Sequence, residues 1–106
     1  MYNISDIVKD LDILSEQIRK EKISIMKSEE KYKQREAYMW LNFNWEEVLN
    51  KSRPTEKDKV FFITMDKEVK LGKRNMKRHQ AKLNYIEKQF EIKHSLLKSL
   101  IGDVDG

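Results

Sequence analysis

The residues whose types could do chemistry are few and dispersed. Histidine occurs at His79 and His94, fifteen positions apart, and neither belongs to a His–x3–His pair. The chain has no cysteine, so it has neither a thiol nucleophile nor a thiolate cage for a metal. Glu29–Glu30 and Glu46–Glu47 are adjacent carboxylates. Neighbours in sequence point to different sides of a helix, so neither pair can act as an acid–base couple by itself. No serine sits in a nucleophile elbow and no GxxxxGK loop is present. The expectation is a chain without catalysis, metal ion or cofactor, whose function is binding.

The charge pattern supplies the first binding candidate. Net charge is +4, but residues 1–18 carry −3, residues 19–35 carry +4, residues 36–66 carry −2, residues 67–82 carry +6 and residues 83–106 carry −1. Lys70, Arg74, Lys77 and Arg78 follow the spacing of one helix face. Like charges gathered this closely repel, and a phosphate backbone relieves the repulsion. The expected nucleic-acid contacts are Lys27, Lys31, Lys33, Lys70, Lys73, Arg74, Lys77, Arg78 and Lys82. Tyr32 and Tyr85 lie near this segment and are of a type that stacks on the bases of a single strand. The competing reading makes the charges a solvated face and the tyrosines core residues with wet hydroxyls. No helix-turn-helix, zinc-finger or RNP signature is present, so sequence-specific readout is not expected.

Aromatic residues supply the second candidate. Tyr38, Trp40, Phe43 and Trp45 precede the one clear turn, and Phe61 and Phe62 follow it. Such residues dominate protein interfaces, so these six are the candidate anchor for a protein partner. The alternative is a compact local core.

The elements that must position both candidates are helices. Three glycines and one proline in 106 residues leave little room for turns, which argues against all-β folds. Ile4, Leu11, Ile18, Ile25, Tyr32 and Met39 recur every seven residues, and so do Phe62, Val69, Met76, Leu83, Phe90 and Leu97. This period predicts long helices in a left-handed supercoil. Ser5 is the expected first cap. Pro54 ends the first helix near Asn50, Thr55 and Asp58 open the second with a capping box, and Gly102 ends it. The predicted fold is all-α: one domain over 1–106, an antiparallel two-helix hairpin with helices about 5–50 and 55–101. In the expected register residue i lies opposite roughly 106 − i, which sets Lys73 and Arg74 beside Lys31 and Lys33. Gly72 falls mid-helix and marks a kink or a close approach of another backbone. Seam positions Glu21, Ser28, Arg35, Asn42, Gly72, His79 and Lys93 are poor in apolar groups, so the hairpin is expected to self-associate into a bundle. No apolar run, Val60–Ile63 included, comes near the length of a membrane span, and the opening MYNISDIVKDLD has no apolar h-region. A cytoplasmic protein with no membrane partner is therefore expected.

Several of these elements together resemble a group of small coiled-coil proteins. The elements are Tyr32 with Ala37–Tyr38 and Leu41, the turn Pro54–Thr55–Glu56–Lys57, the basic run from Lys73–Arg74 to Lys82, and the Leu-rich stretch Ser95–Leu100. The group is encoded by phages and mobile elements of Gram-positive bacteria, among early genes for DNA replication and recombination. The architecture is also similar to the UvsY-type recombination mediators of T-even phages, which oligomerise, bind single-stranded DNA and help load a recombinase. The chain is shorter than those and lacks their distinct inserted loop. The resemblance implies an accessory role in phage DNA metabolism in a bacterial cytoplasm, with a recombinase, a single-strand-binding protein or a host protein as further partner. It carries over no catalytic residue. The alternative is a protein-binding module that inhibits a host factor or a defence system.

Overall fold

In the computed structural model, which describes residues 3–105, four helices hold the regular structure: α1 (Ile4–Asn42), α2 (Trp45–Leu49), α3 (Glu56–Thr64) and α4 (Lys67–Asp105). There is no strand among the described residues, and α1 packs on α4 as a helical hairpin requires. From Ile7 to Met39 in α1, and from Val69 to Leu100 in α4, residues spaced alternately three and four apart are buried or half-buried. This is the a/d seam of a coiled coil. No helix of the chain is long and apolar enough to cross a membrane among the described residues.

The predicted pair of helices is real, but each is interrupted once. The first stops at Asn42 and restarts at Trp45. Asn44 accepts a hydrogen bond from the Glu47 amide at 3.4 Å, so its side chain replaces a backbone partner at the start of α2. The second is interrupted between Thr64 and Lys67, where Asp66 accepts from the Glu68 and Val69 amides, both at 3.1 Å.

The caps follow local chemistry. Asn3, rather than Ser5, caps α1, its Oδ1 accepting from the Ser5 amide at 2.9 Å. Asn50 closes α2 with φ of 50°, a left-handed conformation that asparagine tolerates. The capping box at Thr55 forms as predicted. Thr55 Oγ1 accepts from the Asp58 amide at 3.2 Å, and the Thr55 amide donates to Asp58 Oδ2 at 3.0 Å. Lys51 adds an ion pair to that carboxylate at 2.8 Å, and together these lower the Asp58 pKa to about 2. Gly102 does not end α4, which continues to Asp105. A single glycine weakens a helix by about 1 kcal/mol and need not stop it.

Contacts divide the chain into two units. In the first, α1 up to Ser24 packs on α4 from Arg78 onward. Ile7, Leu11, Leu83 and Ile86 are buried there, and Lys93 meets Asp10 at 3.1 Å. The second unit, Ile25–Lys77, holds the rest of both long helices with α2 and α3. Its core is Met39, Trp45, Ile63 and Val69, with Phe43, Leu49 and Phe62 packed against it. Lys73 lies over the Tyr32 ring and Gly72 against its Cβ, close to the expected register.

Candidate binding surfaces

The basic residues differ in exposure and in pairing. In the second unit Lys70, Arg74 and Lys77 are exposed on α4, together with Lys67. Their spacing puts them opposite the seam residues Val69, Gly72 and Met76, so they face away from α1. None of the four has a carboxylate within 4 Å among the described residues. Lys27 and Lys31 on α1 are likewise exposed and without an ion pair among the described residues. Lys33 is committed to Glu29 at 2.7 Å, a hydrogen bond that raises its pKa. Lys73 is half-buried, its ammonium 5.7 Å from the Tyr32 ring centre. In the first unit Arg78 is exposed, while Lys82 donates to Glu21 at 3.2 Å.

The two tyrosines separate. Tyr32 is buried in the seam with its hydroxyl 4.0 Å from Met76 Sδ, which removes it as a stacking surface. A Cβ placed on Gly72 would lie 2.5 Å from Tyr32 Cβ, so Gly72 serves the close approach of α1 and not a kink. Tyr85 is exposed.

Among the polar seam residues, Glu21, Arg35, His79 and Lys93 have ionisable partners. Glu21 is only 8 % exposed and receives His79 Nδ1 at 2.7 Å as well as Lys82. The His79 hydrogen bond, then Lys82, hold its carboxyl below the usual carboxylate range although burial opposes this. Arg35 Nη2 and Nε reach Asp66 at 3.2 and 3.3 Å. That contact lowers the pKa of Asp66 and fixes it as the α4 cap. The available signal was the recurrence of ionisable residues at seam positions on both helices. His94 is exposed and stacks on Phe90 at 6.0 Å.

The aromatic candidates divide evenly. Trp45 is buried, and its ring packs 5.6 Å from Phe43 and 5.7 Å from Phe62. Its indole N–H donates to the Trp40 carbonyl at 3.3 Å. These three are therefore core. Tyr38, Trp40 and Phe61 stay exposed. Between α1 and α3 runs a groove of about 410 Å³ lined by Glu36, Ala37, Trp40, Leu41, Val60, Ile63 and Thr64. Lys59 sits 5.6 Å above the Trp40 ring on its edge.

Compared with known proteins, the chain matches no family model, no curated protein and no solved structure.

Proposed function

We propose that the protein is a non-catalytic nucleic-acid-binding accessory factor of a phage-type DNA replication or recombination system. It acts as a homo-oligomer in the cytoplasm of a bacterial host and holds single strands electrostatically. The observation that carries this reading is the run of unneutralised cations on the outward face of α4, Lys67, Lys70, Arg74 and Lys77. A solvated helix face usually mixes both signs, and this one has no anion to share its field. Phosphate contacts by these side chains predict an affinity that falls with salt, with a slope of about −0.7 per neutralised phosphate on a single strand.

The test is fluorescence anisotropy of a labelled single-stranded oligonucleotide titrated at low and high salt. Binding at low salt with a slope of about −2 to −3 fits three or four contacts. No anisotropy change at low salt and micromolar protein removes the reading.

The groove beside Trp40 favours a second reading, a protein-binding module that docks on a host enzyme or defence complex. There Trp40→Ala abolishes capture of the partner and leaves the fold intact, since its ring is partly exposed.

A further inference from the structure

We infer that the groove between α1 and α3 is filled by the same surface of a second copy of the chain, in a two-fold arrangement. This gives the self-association proposed above a surface, and it is independent of nucleic-acid binding.

The groove is walled mainly by apolar side chains. Ala37, Trp40 and Leu41 form the α1 wall, and Val60, Ile63 and Thr64 form the α3 wall. Within these walls Leu41 projects at 79 % exposure and Val60 at 50 %. Single exposed apolar residues are ordinary on a protein surface, but a contiguous patch centred on a groove marks an interface. A surface that carries both a hollow and a knob can bind itself. An isologous contact lets the Leu41 of each copy enter the hollow of the other.

Charge selects a second copy over a foreign helix. Phe43, just past the end of α1, meets Phe62 of α3, and Arg35 of α1 meets Asp66, just past the end of α3, so the two helices run in opposite directions along the groove. Glu36 therefore lies at the Thr64 end, and Lys59, over the Trp40 ring, lies toward the other. Glu36 is half-buried and has no cation within 4 Å among the described residues. A two-fold axis through the groove brings each Glu36 toward the partner's Lys59. One surface with opposite charges at its two ends is complementary to itself.

The test is the mass of the full chain without nucleic acid, by light scattering and sedimentation across micromolar concentrations. The expected result is a dimer that Val60→Asp and Leu41→Glu each weaken at least tenfold. Both positions are exposed, and far-UV circular dichroism checks that each variant keeps its helices. Glu36→Lys and Lys59→Glu each weaken the dimer, and the double reversal restores it. A monomeric wild-type protein overturns the inference and leaves the groove to a foreign amphipathic helix. So does a dimer that neither Val60→Asp nor Leu41→Glu weakens, or a double reversal no better than the single ones. Oligonucleotide binding measured on the same samples fails or succeeds independently of these outcomes.

Discussion

The two units hold α1 against α4 by different means. In the first, two helices meet along one stripe, and each can bury only the residues that face the other. Ile7, Leu11, Leu83 and Ile86 do so, and between them the seam admits Glu21 with His79 and Lys82 at its edge. In the second unit α2 and α3 add further walls, so Met39 and Val69 are completely enclosed and Trp45 is buried among aromatic rings. The difference shows what a helix pair needs to bury large side chains. A single stripe tolerates ionisable groups because they reach their partners at its rim, whereas enclosure on several sides demands apolar ones.

The largest way to break this comparison is Trp45→Ala. Removing a buried indole leaves a cavity, and a loss of about 3–5 kcal/mol is expected in urea unfolding followed by circular dichroism. Trp40→Ala, on the rim of the groove, should lose less than about 1.5 kcal/mol. Equal losses would mean that the division between core and rim aromatics is false.

Gly72→Ala ranks next. Alanine favours a helix by about 1 kcal/mol over glycine. Here the added Cβ meets Tyr32 Cβ, an atom tied to the α1 backbone that cannot swing away. Overpacking of this kind typically costs about 1–3 kcal/mol, so net destabilisation is expected. Gly102→Ala is the control, because nothing lies within 4 Å of its added Cβ, and it should be neutral or slightly stabilising. A stabilised Gly72→Ala would show that α1 and α4 separate there freely.

The ionisable seam predicts an acid dependence. Glu21 has its pKa lowered from 4.5 in the folded chain, chiefly by the His79 hydrogen bond. Its stabilisation is therefore present above the ordinary carboxylate range and is lost as pH falls through the lower native value. Glu21→Gln should remove about 1–3 kcal/mol at neutral pH and flatten the acid limb of stability against pH. Asp66 is lowered in the same direction by Arg35, so Asp66→Asn should flatten that limb from the other unit. If Glu21→Gln leaves the acid limb unchanged, the buried carboxylate carries no charge-dependent stability.

Much of the fold was legible because it depends on residues near one another in sequence. The seven-residue spacing from Leu11 to Met39 placed the seam, and Thr55 with Asp58 placed the start of α3. The breaks at Phe43–Asn44 and Met65–Asp66 were not legible. Neither contains a glycine or proline, and Asp66 becomes a cap while held by Arg35, thirty-one positions away. The same holds for the polar seam. Glu21 and His79 look like defects until the register brings them to 2.7 Å. Trp45 and Phe61 show the limit for the binding surfaces, since composition gives both the same promise and only the break before α2 turns Trp45 inward.

The smallest expected effect on stability comes from the outward face of α4, and it sharpens the contrast between seam and surface. Lys70, Arg74 and Lys77 touch no carboxylate within 4 Å among the described residues, so their removal breaks no ion pair. Lys70→Ala, Arg74→Ala and Lys77→Ala should each change stability by less than about 0.5 kcal/mol. Combining them relieves mutual repulsion and should leave the chain at least as stable as before. Binding should respond in the opposite sense, because each lost phosphate contact lowers the salt slope by about 0.7. Lys33→Ala serves as the comparison, since its charge is already shared with Glu29 at 2.7 Å. It should change oligonucleotide affinity less than any of the three. A Lys33 effect as large as that of Arg74 would mean that total charge governs binding, and the arrangement of cations on α4 would then explain nothing.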